Sequence, residues 1–179
     1  MKINIGCGQR NFGKEWIHID AADYDHIDSK DILMKEYKNE AVELIYASHL
    51  IEYFDRKEIV PILKRWRDVL KPNGILRLAV PNFEIYAKLY LKEKISLDDT
   101  LGPLYGKMKM GNKTIYHKTI YDYNSLKKIL QEVGMRNISK YNWRQTSHSM
   151  FDDHSQAYFP HMDKDSGTLM SLNMECIKW

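Results

Sequence analysis

The chain has little of what would place it in a specialised class. Only two of its 179 residues are cysteine, Cys7 and Cys176, and two cysteines make no disulfide framework. No apolar run approaches the roughly 18 residues that a membrane span needs. The N-terminus shows no basic start followed by an apolar core, so no secretory signal is read there. Charge of one sign is scarce too: 27 basic residues against 24 acidic ones leave a net charge of +3, too weak for the electrostatic footprint of a nucleic-acid binder. There is no internal repeat and no low-complexity tract. These absences set the expectations: no nucleic-acid partner, no membrane, a cytoplasmic location. What remains is ordinary for one folded domain over residues 1–179, with 44% hydrophobic and 28% charged residues. The 12 tyrosines are read as core and interface packing before any stacking role.

The informative stretch is the first one. Ile3-Asn4-Ile5 reads as a short strand, Gly6-Cys7-Gly8 as a turn, and Ile17-His18-Ile19-Asp20 as a second strand ending in an acid. Glycines allow close main-chain approach to a ligand, and an acid at the next strand's end can accept from two ribose hydroxyls. A dinucleotide site would show a third glycine, where Asn11 stands, and a helix ahead of an acid about 20 residues on. Asp20 follows Gly8 by only twelve residues, which leaves room for little helix and so for little of the dipole that a pyrophosphate needs. S-adenosylmethionine carries no phosphate, and the short crossover favours it. A nicotinamide site and a turn with no ligand are the alternatives.

Strand and helix signals then alternate, which predicts an α/β fold with a mostly parallel sheet. Strands are expected at 2–6, 16–20, 42–47 and 75–80. A helix is expected from about Asp55 to Leu70, with Asp55 and Glu58 as a capping box, Pro61 delaying or kinking it, and Lys71-Pro72-Asn73-Gly74 stopping it. Phe83–Lys92 looks helical, and residues 95–121 show no sustained period. Asn124–Val133 is a clear helix capped by Gly134. A strand near 136–143, a polar excursion at 144–168 and a final strand near 169–178 complete the chain.

The chain resembles the class I S-adenosylmethionine-dependent methyltransferases, closest to a small group whose first strand reads like Asn4-Ile5-Gly6-Cys7-Gly8 followed by Trp16-Ile17-His18-Ile19-Asp20. Further matches are Asp31-Ile32, Ser48-His49-Leu50-Ile51-Glu52-Tyr53-Phe54, Leu70-Lys71-Pro72-Asn73-Gly74-Ile75-Leu76 and His117-Lys118. The resemblance spans essentially the whole chain. It implies a Rossmann-like, doubly wound, mostly parallel sheet with an antiparallel C-terminal strand. It also implies that Gly6, Cys7 and Gly8 cradle the methionine part of the cofactor and that Arg10 meets its carboxylate. Asp20, with Ala21 beside it, would hold the ribose, Asp31 with the Ile32 amide would face the adenine, and Ser48, His49 and Leu50 would lie near the sulfonium. The chain departs from the group at Asn4, where larger relatives place an acid, and at Tyr53, where the group often has histidine.

A sulfonium methyl is already activated, so the protein aligns a displacement and removes a proton. His117 is the first candidate for that base, ahead of His49 and His154, because imidazole titrates near neutral pH. The expected reaction is methyl transfer to oxygen or nitrogen of a small-molecule acceptor. Because the first strand starts at the second residue, cover for the site must come from 83–121 and 144–168, or from a second subunit in a homodimer. Lys107, Lys109, Lys113 and Lys118 with Tyr105, Tyr116 and Tyr121 read as a solvated lid rather than a nucleic-acid surface. His148, Asp152, Asp153, His154 and His161 fit no strong ligand spacing, so no metal is expected. The rival readings are a nicotinamide-dependent oxidoreductase and a non-enzymatic partner subunit with a degenerate cofactor fold.

Overall fold

A computed structural model describes residues 1–179. Strands β1 (Lys2–Ile5), β2 (Trp16–Ile19) and β3 (Val42–Ser48) come first, followed by a 3-10 turn at Ile51–Tyr53 and helix α1 (Ile59–Val69). Strand β4 (Leu70–Pro81), helices α2 (Phe83–Leu91) and α3 (Leu97–Tyr105), and a short hairpin of β5 (Met108–Met110) and β6 (Lys113–Ile115) follow. Helix α4 (Tyr123–Glu132) and β7 (Met135–Lys140) lead to 3-10 turns at Trp143–Gln145 and His154–Gln156. The chain ends with β8 (Tyr158–Phe159), β9 (Thr168–Leu169) and β10 (Ser171–Lys178).

Six strands form one sheet in the order β2-β1-β3-β4-β10-β7. Strands β1 to β4 run parallel, and β10 inserts antiparallel between β4 and β7. No helix links β1 to β2, as the short spacing required. Ser29 adds an isolated parallel bridge to Ile19 at the outer edge.

One sheet face buries Ile3, Ile5, Ile45, Leu76, Leu78 and Met174 beneath α1 and α4, which contribute Ile59, Leu63, Trp66, Leu126 and Leu130 to a 25-residue core. On the other face Leu44 and Tyr46 pack under Phe12 and Trp16, with His148 and Phe151 stacked on Phe12. The reciprocal cap at α1 is present: Asp55 N–H donates to Glu58 Oε2 and Glu58 N–H to Asp55 Oδ1, both at 2.9 Å. Ile59 N–H already donates to Asp55 O at 3.0 Å, one turn ahead of α1; Pro61 has no N–H to continue that turn, and the regular helix is delayed to Ile59. No helix is long and apolar enough to cross a membrane.

Several boundaries differ from expectation. The Lys71–Gly74 segment does not separate helix from strand; Val42 already pairs with Leu70, and Leu44 with Ile75. Four residues thus bulge opposite Glu43 alone, with Asn73 at φ 61°. Residues 95–121 contain a whole helix, started by a Ser96–Asp99 capping box and carrying Gly102 and Pro103 in its body. Those two residues hide its period. The polar excursion at 144–168 holds only 3-10 turns and a two-residue ladder.

Candidate active site

The turn after β1 is shaped by the protein's own packing. Gly6 has φ 71°, and a Cβ there would sit 2.8 Å from Leu50 Cδ2, so the first glycine makes room for Leu50. Gly8 has φ 56°, and a Cβ on it would meet nothing within 4 Å; this main chain faces open space. Gly8 N–H donates to Asp20 Oδ2 and Ala22 N–H to Asp20 Oδ1, both at 2.8 Å. The acid is therefore held at the turn with lone pairs left on each oxygen. His26 lies under the same turn: its Nε2 donates to the Gly8 carbonyl at 3.1 Å. Burial pushes the Cys7 thiol up to about 12, so it packs as a neutral thiol.

Next to the acid, residues 31–37 are fastened to α1. Trp66 Nε1 donates to Ile32 O at 2.7 Å, and the Arg65 guanidinium donates to the carbonyls of Leu33, Met34 and Tyr37. Asp31 spends its carboxylate locally, accepting from Leu33 N–H and Lys35 N–H at 3.0 Å; those bonds hold its carboxyl below the usual range. The Ile32 N–H has no protein partner.

The C-terminal ends of β3 and β4 meet here. His49, just past β3, adopts φ 50° and donates its N–H to Ala79 O at 2.8 Å. Asn82 follows β4 and bridges to Tyr121. Lys118 and Thr119 donate their amides to Glu52 O, drawing the segment before α4 over the 3-10 turn. Among all buried side-chain polar atoms without a hydrogen-bond partner, Ser48 Oγ, His49 Nε2, both Glu52 oxygens, Asn82 Oδ1 and Tyr121 OH gather in this one place; Tyr141 OH is the exception. Buried polar groups are rarely left unmatched, and such a concentration marks a surface suited to a polar ligand.

His117 is fixed rather than free. Its Nδ1 donates to Pro103 O at 3.0 Å, its ring meets Tyr53 edge-on at 4.5 Å, and a Cβ on Gly106 would strike it at 2.0 Å. Tyr53 OH donates to Gly106 O at 2.9 Å. His117 Nε2 lies 3.8 Å from Glu52 Oε1, and His49 Nδ1 lies 3.7 Å from the same oxygen. Burial pushes both histidines down, His49 well below its usual value with help from His154, His117 and Arg10. Burial lifts Glu52 to about 8. Arg10 donates from Nε to Asp152 O at 3.0 Å, and the His154 ring lies 4.9 Å from that of His49.

Glu52, His26, Asn82 and Tyr121 were not among the expected site residues. Glu52 had a readable signal, since it lies three residues after His49 across a tight turn, a spacing that aligns side chains. The others are brought in by pairing far along the chain. The remaining polar candidates disperse. Tyr121 is buried, while Lys107, Lys109 and Lys113 are exposed around the β5–β6 hairpin. His148 is 2% exposed against Tyr46 and Arg77, and Asp153 accepts from Tyr46 OH at 2.6 Å. No group of three or more His, Cys, Asp or Glu side chains is arranged to hold a metal ion.

Sequence comparison finds no matching protein family and no matching curated protein. Solved structures do match. A SAM-dependent methyltransferase from Archaeoglobus fulgidus aligns over 99% of this chain and 85% of its own, with TM-score 0.59 and 15% identity. The fold is that of the class I methyltransferases. One from Methanosarcina mazei covers 98% of this chain and 89% of its own, with TM-score 0.51 and 14% identity. The 1,6-didemethyltoxoflavin-N1-methyltransferase from Burkholderia thailandensis, solved with S-adenosylhomocysteine, covers 99% of this chain and 70% of its own, with TM-score 0.55 and 8% identity. In this methyltransferase fold the glycine turn and Asp20 lie at the C-terminal ends of adjacent parallel strands, where ligands of such sheets collect.

Proposed function

We propose that the chain is an S-adenosylmethionine-dependent methyltransferase acting on oxygen or nitrogen of a small-molecule acceptor. The observation that carries this reading is the Gly8–Asp20 contact, an open main-chain turn with a carboxylate at its side, set next to a buried polar cluster. The residues suit the cofactor. Gly8 admits close approach, Asp20 retains acceptor capacity for two ribose hydroxyls, and the Ile32 N–H is free for the adenine edge. Gly6 and Cys7 shape the turn, Arg10 supplies the positive charge for a carboxylate, and Ser48, His49 and Leu50 bound the sulfonium end. When bound, the cofactor supplies a methyl group already activated for displacement.

The protein's own task is then to orient the acceptor, exclude water and remove a proton. His49, just past β3, and His117, packed beside Glu52, are neutral imidazoles because burial lowers both, suited to act as bases. Helices α2 and α3, the β5–β6 hairpin and residues 144–168 are left to shape the acceptor's site. Calorimetric titration tests the reading. S-adenosylhomocysteine should bind with a one-to-one stoichiometry and lose affinity in Asp20→Ala. Tight NADH binding without S-adenosylhomocysteine binding would reverse the choice.

A further inference from the structure

Glu52 is 1% exposed, and neither carboxyl oxygen accepts a hydrogen bond. His49 Nδ1 at 3.7 Å and His117 Nε2 at 3.8 Å face the same oxygen, Oε1. Such separations exceed a hydrogen bond. They are also far too short to admit a bridging water, which would need two hydrogen-bond lengths. The three groups therefore touch in series, with a contraction of about 1 Å between them and hydrogen-bond geometry, and catalytic contacts often tighten by such amounts only on ligand binding.

The tautomers favour a direction. A carbonyl oxygen can only accept, so the 3.0 Å contact to Pro103 O puts the His117 proton on Nδ1. His117 Nε2 then presents a lone pair to Glu52. At the other end, His49 Nε2 is a buried ring nitrogen with no protein partner.

We propose that His49, Glu52 and His117 form a proton relay that draws the acceptor's proton away from the transferring methyl group. The proposal rests on the methyltransferase reading above. The acceptor's lone pair forms the new bond to the methyl carbon, while the electron pair of the breaking C–S bond stays on sulfur. His49 Nε2 takes the acceptor's proton and its Nδ1–H passes to Glu52. The proton already on Glu52 passes to His117 Nε2, leaving an imidazolium whose Nδ1–H is held by Pro103 O. One positive charge leaves the sulfonium and one appears on His117.

The surroundings agree with this order. Burial keeps Glu52 protonated at neutral pH, and a relay member must carry a proton before it can pass one on. Burial disfavours a charge on both rings; on His49 it is reinforced by His154, His117 and Arg10, whereas on His117 the hydrogen bond to Pro103 O works against it, so charge settles on His117. Tyr53 and Tyr121 also face Glu52, and both are held as neutral phenols by burial and by that carboxyl; Arg56 offsets the effect at Tyr121.

The test is a pH titration by NMR of protein with labelled histidine rings and labelled glutamate carboxyls, free and saturated with S-adenosylhomocysteine. The Glu52 carboxyl should titrate near pH 8, and the His49 and His117 rings should each show a step at that midpoint. In Glu52→Gln both steps should vanish while S-adenosylhomocysteine affinity is unchanged. The relay is overturned by a Glu52 midpoint in the ordinary carboxylate range, or by ring shifts that ignore Glu52. If Glu52→Gln does not fold, the wild-type titration decides alone. Absent S-adenosylhomocysteine binding would sink the cofactor reading instead, and the free-protein titration would still decide the relay.

Discussion

Asp20 Oδ2 lies 2.8 Å from the main-chain nitrogen of Gly8, twelve residues earlier in the chain. This single contact ties the bend after β1 to the end of β2 and sets the carboxylate against main chain that faces open space. In Asp20→Ala the two amides of Gly8 and Ala22 lose their acceptor. Asp20→Asn keeps an oxygen for one amide but loses the charge. S-adenosylhomocysteine affinity should drop about 100- to 10,000-fold in Asp20→Ala and less in Asp20→Asn, in line with two hydrogen bonds to a charged group worth about 1.5–3 kcal/mol each. Calorimetry on both variants measures the difference.

Gly106→Ala should damage the site from a distance. Gly106 has φ 53°, and the added Cβ would fall 2.0 Å from His117 Nε2. The ring must leave Pro103 and Glu52, and the αL strain adds roughly 1–2 kcal/mol. Urea unfolding should show a loss of about 1–3 kcal/mol, and the His117 ring resonances should move while S-adenosylhomocysteine binding persists.

Arg65→Lys isolates the fastening of residues 31–37. The planar guanidinium serves three carbonyls and Asn39 Oδ1 at once, and an ammonium on a flexible stem does not reproduce that fork. Stability should fall by about 2 kcal/mol. Hydrogen exchange should rise first at residues 32–37, with a weaker grip on the adenine of S-adenosylhomocysteine.

Stability should depend on pH from two opposite sides. Glu52 is raised in the folded state, to about 8, so its stabilising contribution is full below its unfolded value and disappears as pH climbs to about 8. His148 is lowered by burial, and next by Arg77, to about 4. Its contribution is full above the ordinary histidine value and disappears as pH falls from about 6.5 to about 4. Each slope is limited to about 1.4 kcal/mol per pH unit for one proton. Urea midpoints should show Glu52→Gln flattening the decline between about pH 4.5 and 8 and His148→Phe flattening the loss between about pH 6.5 and 4; a wild-type curve unchanged by either variant would refute the assignment.

Legibility followed the range of the physics involved. The strands Ile3–Ile5 and Ile17–Ile19, the α1 stripe of Ile59, Leu63 and Trp66, and the Asp55–Glu58 cap could be read because each is set by neighbours within a few residues. Helix α3 could not, because Gly102 and Pro103 break its period while the Ser96–Asp99 cap still starts it. The Lys71–Gly74 segment was misplaced because only the partner strand β3 shows that Leu70 is already paired.

The sequence by itself determined the glycine bend, the acid that follows it and the alternation that yields a parallel sheet. Tertiary structure alone decided that Leu50 occupies the space beside Gly6, that His117 turns inward onto Pro103, and that Glu52 lies between two imidazoles. The first set depends on local backbone freedom and side-chain period, which a linear string carries. The second depends on which distant segments share one buried volume, and there the cost of desolvating a carboxyl and two imidazoles exists only once the chain has closed around them.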